Sequence, residues 1–295
     1  MSVAPSILII IPWFGPWPAW MRFFLASCRA NPTVDWVLIG DAGEPADRPA
    51  NVRYVETSFA DYRALIAARL RVRPRWDQAY KLCDFKPTWG VVHADLAAGY
   101  DYWGFGDLDV IYGDIRAIYT PAVLSHDLIS THAHVVAGHL CLVRNTLLMN
   151  HAFKRHWGWR RVLADPRHRS FDEQYMSRLF PGVLRAHWRH RLHWPLRARG
   201  LFVERFSTAI APLAWVDGTL DHPKQWFWRD GRLTNDRTGE RQFLYLHVSH
   251  WQSNRWTSEP VAPWSTLDTI DRAPQGALTG FTISREGFTP LLVDA

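Results

Sequence analysis

Two aspartates, Asp107 and Asp109, stand two positions apart directly after a run of bulky aromatic residues at 100–106. This run predicts a buried strand, and residues i and i+2 of a strand point to the same face. Two carboxylates on one face at the end of a buried strand are unfavourable unless a cation lies between them. Carboxylate oxygens are ligands of Mg²⁺ and Mn²⁺. The pair therefore predicts a divalent metal site that can bridge the phosphates of a nucleotide diphosphate and stabilise a leaving group.

The segments before this pair alternate between strand-like and helix-like patterns. A continuous apolar run ends at Pro12, as is typical of a strand buried on both faces. Ser58, with Asp61 three residues on, is the expected N-cap of a helix. This order predicts an α/β protein with an open, largely parallel sheet. The expected strands cover 6–11, 34–39, 51–55, 100–106, 126–131, 139–143 and 243–248, and the expected helices cover 17–30, 58–71, 89–98 and 144–157.

Composition limits the function classes. The chain has 295 residues, of which 47% are hydrophobic and 21% charged, as in a folded globular protein. Three scattered cysteines argue against a disulfide scaffold or a zinc ribbon and favour a reducing compartment.

The net charge is +6, and residues 154–199 hold twelve Lys/Arg against three acids. Such a region is either a solvated basic face or a surface for phosphate groups or anionic lipid. No nucleic-acid-binding motif accompanies it, so no nucleic-acid partner is expected.

Six short motifs occur in one order along the chain, at 11–15 (IPWFG), 80–87 (YKLCDFKP), 104–114 (GFGDLDVIYGD), 138–140 (GHL), 171–173 (FDE) and 244–247 (LYLH). Together they resemble a bacterial and viral family of GT-A-type glycosyltransferase-like proteins. The resemblance spans roughly residues 6 to 250. It implies a GT-A-like (Rossmann-like) open mixed sheet flanked by helices, with a variable basic and aromatic C-terminal half. We expect one such domain over 1–256 and an irregular extension, packed on it, over 257–295.

The resemblance also implies a ligand set. His247 is expected to complete the metal site with Asp107 and Asp109, and Mn²⁺ or Mg²⁺ is the expected cofactor. His250 is close enough to be confused with His247, and Arg255 is a substitute for a lysine that relatives carry after the histidine. The residues implied to bind the donor nucleotide are Pro12, Phe14, Asp41, Lys81, Asp84, Lys86, Asp107 and His139.

Asp172 and Glu173 are the candidate catalytic residues. Glycosyl transfer with inversion needs a carboxylate that takes the proton of the acceptor hydroxyl, and Asp172 is preferred for this. The alternative is that both acids only stabilise the first turn of a helix capped by Ser170. Structural alternatives also stand for five of the donor and metal residues: a turn at Asp41, a helical ion pair of Lys81 with Asp84, and buried histidines at 139 and 247.

The sequence thus predicts an enzyme, a glycosyltransferase that moves a sugar from a nucleotide-diphosphate donor to a glycan, lipid-linked or other hydroxyl acceptor. A cytoplasmic location is expected, because the longest early apolar run, at 7–11, is too short for an anchor. Residues 181–200 carry five arginines among Trp and Leu, which favours contact with an anionic membrane at its inner face. A catalytically inactive sugar- or nucleotide-binding protein remains an alternative. A nucleotidyltransferase is another, although its basic glycine-rich loop is missing after Pro12.

Overall fold

The computed structural model describes residues 4–180, 198–206, 213–248, 278–284 and 287–291. Within these ranges the strands form three sheets, of seven, four and two strands. The strands are β1 Ile7–Trp13, β2 Asp35–Gly40, β3 Val52–Glu56, β4 Tyr102–Gly106, β5 Val110–Tyr112, β6 Leu128–Ser130, β7 Leu140–Arg144, β8 Gly200–Phe202, β9 Gln225–Arg229, β10 Arg232–Asn235, β11 Tyr245–His247, β12 Gly280–Ser284 and β13 Gly287–Pro290.

Helices connect these strands, and most of them are short. The α-helices are α1 Met21–Arg29, α2 Phe59–Leu70, α3 Trp89–Val92, α4 Ile115–Ile118, α5 Leu147–Asn150 and α6 Trp159–Ala164. Three 3₁₀ helices cover Ala79–Thr88, Val123–Ser125 and Ala152–Arg155, and a π-helical turn covers Phe171–Tyr175. No helix among the described residues is both long and apolar enough to cross a lipid bilayer.

The main sheet has the strand order β3-β2-β1-β4-β7-β6-β8. Strands β3, β2, β1 and β4 are parallel, β7 is antiparallel to both β4 and β6, and β8 is parallel to β6. This confirms the predicted α/β class with an open mixed sheet flanked by helices. The other two sheets are antiparallel and join β11 to β5 and β10-β9-β12-β13.

Strand β1 lies in the middle of the hydrophobic core, as its unbroken apolar sequence predicts. Ile9 and its neighbours at i±2 pack with α1 and the smaller sheets, whereas Leu8 and Ile10 pack with α2 and the 3₁₀ helix that follows it. All five residues from Ile7 to Ile11 are at most 2% exposed. Each such side chain stabilises the fold by about 1.5–3 kcal/mol, so this strand fixes the centre of the sheet.

The strand order reverses between β1 and β4. The chain runs from β1 outward to β2 and β3 and then returns to place β4 on the other side of β1. In open α/β sheets, ligands bind in the crevice beyond the carboxyl ends of the strands at such a reversal. The side chain of Asp41, just after β2, accepts a hydrogen bond of 2.8 Å from the Gly15 amide, so the loops that follow β1 and β2 are joined here.

Three expectations about regular structure are wrong in extent. The helix predicted over 89–98 ends at Val92. The helix predicted over 144–157 begins later than expected, because Arg144 is still the last residue of β7, and it is divided into α5 and a 3₁₀ helix. The extension after 256 is not irregular throughout, since β12 and β13 belong to it and β12 pairs with β9. Of the stretch 181–200 that is predicted to contact a membrane, residues 181–197 lie outside the described residues. His250 and Arg255 also lie outside them. The domain boundary at 256 stays a prediction.

The predicted capping of α2 by Ser58 can be tested by mutation. Ser58 Oγ accepts a hydrogen bond of 3.1 Å from the Asp61 amide, as the sequence predicts. We expect Ser58→Ala to lower the free energy of unfolding by about 1 kcal/mol, because the amide loses its acceptor. Ser58→Thr, which keeps a hydroxyl that can accept from this amide and donate to Asp61 Oδ2 at 2.6 Å, serves as the control. Urea denaturation measures both, and equal losses in the two variants would contradict a capping role.

Candidate functional site

Asp107, Asp109 and His247 come together at the carboxyl end of β4. The two aspartates lie in the turn between β4 and β5, not on a strand face as predicted. His247 ends β11, and the pairing of β11 with β5 places it opposite Val110, next to the turn. The Val248 amide also donates a hydrogen bond of 2.7 Å to the Asp109 carbonyl. One possible ligand atom from each of the three side chains lies within 4.8 Å of the others.

These three side chains fit a divalent cation. His247 Nε2 lies 3.4 Å from Asp109 Oδ2. The other oxygen of Asp109, Oδ1, is buried and has no hydrogen-bond partner among the described residues. Burial works to raise the pKa of Asp109, but the charge and hydrogen bond of His247 together with the charge of Lys86 outweigh it, so the pKa lies below its usual range. A charged carboxylate with an unused buried oxygen, next to a second carboxylate and an imidazole, is a donor set that Mg²⁺ or Mn²⁺ accepts.

Lys86 holds Asp107 in this cluster. Its ammonium donates hydrogen bonds to Asp107 Oδ1 at 2.5 Å and to the Gly138 carbonyl at 3.0 Å. Lys86 is buried, which works to lower its pKa, but the charge of Asp107 raises the pKa above the usual range. Burial raises the pKa of Asp107, whereas Lys86 opposes this shift. The ion pair leaves Asp107 Oδ2 as the oxygen that can face a cation.

His139 supports His247 from behind. The two imidazole rings stack with centroids 3.9 Å apart, and His139 Nε2 lies 2.6 Å from the Tyr245 hydroxyl. That hydroxyl donates to Thr131 Oγ1 at 2.8 Å, so the assigned bonding makes His139 Nε2 the donor to Tyr245. Tyr245 was missed at the sequence level. Its position two residues before His247 on one strand is the signal that could have found it.

Asp172 lies against the same group of residues. It is 3% exposed, and its Oδ1 is buried with no hydrogen-bond partner among the described residues. A Cβ atom on Gly138 would stand 2.9 Å from Asp172 Oδ2 and 3.0 Å from Glu173 Oε1, so a side chain at this position would push the two carboxyl groups aside. Burial raises the pKa of Asp172 to about 8, with Glu173 adding to the shift and Lys86 opposing it. The expected cap is wrong, because Ser170 has a φ of 52° and makes no capping hydrogen bond.

Lys81 and Asp84 form a buried ion pair of 2.6 Å, which is the alternative to donor binding that was given for these two residues above. The Lys81 ammonium also donates to the carbonyls of Val162 and Arg167, and Asp84 accepts from the amides of Arg169 and Phe171. These bonds occupy the polar atoms of the pair. The pair therefore anchors residues 162–171 in front of Asp172, and direct donor contact by either side chain stays a prediction.

The same bonds argue against a second metal site. Asp84, His168 and Asp172 also have possible ligand atoms within 4.8 Å of one another. However, both oxygens of Asp84 already accept hydrogen bonds from the protein. The group is therefore better explained as part of the anchor.

The remaining predicted donor residues lie at the ends of the first two strands. The Phe14 ring packs on α2, with centroids 5.0 Å from Phe59 and 5.3 Å from Tyr62. Pro12 is within β1, paired with Ile39, and Asp41 is exposed at the end of β2. All three border the crevice at the strand reversal. Nucleotide binding by them stays a prediction.

Tyr80 is a further candidate that the sequence did not single out. It is 67% exposed, and its ring centroid lies 4.9 Å from that of His168. Its pKa is raised by partial burial and by the charges of Cys83, Asp172 and Asp107. An exposed aromatic ring at the rim of a polar site is a surface on which a sugar ring can stack.

The chain belongs to the family of unknown function DUF6625, whose model matches residues 9–265. A search of curated proteins finds no match to the sequence.

Solved structures of glycosyltransferases overlap with part of the chain. The galactosyltransferase LgtC, in complex with donor and acceptor sugar analogues, has 9% identity and a TM-score of 0.33, covering 57% of this chain and 68% of LgtC. Mouse xyloside xylosyltransferase 1 in its apo form has 9% identity and a TM-score of 0.34, covering 56% and 73%. The glycosyltransferase GlyE of Streptococcus pneumoniae TIGR4 has 10% identity and a TM-score of 0.26, covering 49% and 35%. Overlap at this level says nothing about the chemistry of this chain.

Proposed function

We propose that this protein is a GT-A-like, metal-dependent glycosyltransferase that moves a sugar from a nucleotide-diphosphate donor to a hydroxyl acceptor. The observation that carries the proposal is the meeting of Asp107, Asp109 and His247 at the carboxyl end of β4. This position adjoins the strand reversal, where open α/β sheets bind ligands. A half-buried, charged carboxylate with one unpartnered oxygen at that position favours a cation, and a cation there favours a phosphorylated ligand.

In the proposed mechanism Asp107, Asp109 and His247 would hold Mn²⁺ or Mg²⁺, and the bound ion would supply positive charge that stabilises a diphosphate leaving group. Lys86 and His139 keep Asp107 and His247 in position. The loops at Pro12, Phe14 and Asp41 bind the nucleoside.

Asp172 removes the proton of the acceptor hydroxyl. A pKa of about 8 keeps a share of this carboxylate in the basic form near neutral pH and makes it a stronger base than an ordinary aspartate. This role applies to a reaction with inversion, because a retaining enzyme needs no such base. Glu173 is the second candidate for the same role, and Tyr80 is proposed to lie against a sugar ring.

The acceptor is proposed to be a glycan, a lipid-linked sugar or another hydroxyl compound. Contact with an anionic membrane through 181–200, and a cytoplasmic location beside it, remain part of the proposal. A sugar- or nucleotide-binding protein without catalysis is the alternative that the test below distinguishes.

The test is a thermal-shift screen of UDP, GDP, ADP and CDP with and without Mn²⁺. A ligand at a hundred times its Kd adds about 2.7 kcal/mol to the free energy of unfolding. For a chain of this size we expect one nucleotide to raise Tm by about 5 °C in Mn²⁺ and by less than about 1 °C in EDTA. Equal shifts under both conditions would contradict the metal site. Release of free sugar from the matching nucleotide sugar then separates an enzyme from a binding protein.

A further inference from the structure

A cavity of about 710 Å³ lies between the loop that follows α2 and the segment formed by α6 and the residues after it. Arginine side chains form most of its lining. Six arginines and one carboxylate line it, together with three apolar or small residues. The charged residues are Arg71, Arg73, Arg75, Arg160, Arg161, Arg167 and Asp165.

The positive charge of this cavity is mostly uncompensated. Asp165 forms ion pairs with Arg167 at 3.3 Å and with Arg169 at 3.6 Å. In the described parts of the chain, none of the other five cavity arginines has a carboxylate partner. Arg160 lies over the Trp159 ring, 4.4 Å from its centroid, which fixes its direction without neutralising it. Like charges around one cavity repel each other and attract a counter-ion.

Arginine also limits which counter-ion fits. The planar guanidinium donates paired hydrogen bonds that match phosphate oxygens, and several of them around one space favour several phosphates. A volume near 700 Å³ is that of a ligand site, larger than a single phosphate needs. We propose that this cavity binds a ligand carrying two or more phosphate groups, as a soluble polyphosphorylated compound or as anionic lipid headgroups.

One wall of the cavity is held firmly. The Lys81 ammonium binds the Val162 and Arg167 carbonyls, and Asp84 binds the Arg169 amide. These internal bonds fix the backbone of the segment that presents Arg167 to the cavity. The cavity shares no residue with the Asp107, Asp109 and His247 cluster, so binding here does not depend on the proposed transferase activity.

The test is calorimetric titration with sodium tripolyphosphate in EDTA, which removes cations that could bridge the probe to the aspartates. We expect the double variant Arg73→Ala/Arg161→Ala to bind at least tenfold more weakly than the unmodified protein. The control is Arg53→Ala/Arg229→Ala, which removes the same charge from exposed positions on β3 and β9, outside the cavity. This control should change the affinity by less than twofold, and Asp109→Asn should leave it unchanged. All variants are first shown to keep Tm.

Vesicle sedimentation distinguishes the two sources of phosphate. Phosphatidylcholine vesicles with and without phosphatidylglycerol serve as probes. Anionic-vesicle binding that only the cavity variant loses assigns the phosphates to lipid headgroups. A loss seen only with tripolyphosphate assigns a soluble ligand. If the unmodified protein binds neither probe, or if cavity and control variants weaken equally, the proposal is overturned.

Discussion

Asp109→Asn is expected to abolish the Mn²⁺-dependent thermal shift and to lower glycosyl transfer at least about 100-fold. Asparagine has the shape of aspartate but lacks the charge that attracts a divalent cation. The backbone carbonyl of Asp109 still accepts the hydrogen bond from Val248, so the turn should keep its form. The measurement pairs thermal shift in Mn²⁺ and EDTA with sugar transfer from the nucleotide sugar that the screen selects.

Asp114→Asn is the matched control for this change. Asp114 is exposed five residues further on, and its side chain caps α4 by accepting from the Ala117 amide at 3.0 Å. Asparagine caps a helix about as well as aspartate, so this variant should behave like the unmodified protein. A full Mn²⁺ response in Asp109→Asn would remove Asp109 from the metal site.

Asp172→Asn is expected to lower activity by about 100-fold or more and yet to stabilise the protein at alkaline pH. The pKa of Asp172 is about 8 in the folded protein and near its ordinary value in the unfolded chain. Between these values the folded state binds more protons, so the free energy of unfolding falls as pH rises. The penalty is complete above pH 8 and absent below about pH 4. Asp172→Asn removes the ionisable group and therefore this loss of stability, which should raise Tm by roughly 5 °C at pH 9 and by much less near pH 4.

The pH dependence of turnover is a second test of Asp172 as the proton acceptor. If Asp172 accepts the proton, the rate should increase as pH rises through about 8, because the carboxylate must be ionised. Glu173→Gln is the comparison, since Glu173 is adjacent but not fully buried. We expect it to lose less than tenfold and to keep the pH profile. The reverse ranking of the two variants would assign the base to Glu173.

Local patterns predicted the centre of the fold well. The apolar run of β1 and the Ser58 cap depend on neighbouring residues, and both are present. The later helices were predicted too long, because the apolar spacing of 144–157 continues past Asn150, where α5 ends, into a separate 3₁₀ helix over Ala152–Arg155. Helical spacing shows which positions are apolar but not where a short helix ends.

The site was predictable only in part, since most of its contacts join distant segments. The spacing of Asp107 and Asp109 marked the centre, and the resemblance supplied His247. No local signal indicates that Lys86 binds Asp107 or that Asp172 lies beside Gly138. Such pairs depend on how the helices pack across the sheet. For the same reason the sequence indicates only one wall of the arginine-lined cavity, through the basic block 154–199, because the other wall at 71–75 is far away along the chain.

The pairing of β11 with β5 has a consequence for biosynthesis. The imidazole that joins the two aspartates is encoded 138 positions after Asp109 (247 − 109) and reaches them only when β11 docks. Until residue 247 has been synthesised, the nascent protein holds both carboxylates but not the histidine. Chains released before codon 245 would therefore lack both β11 and the third side chain of the proposed cation site.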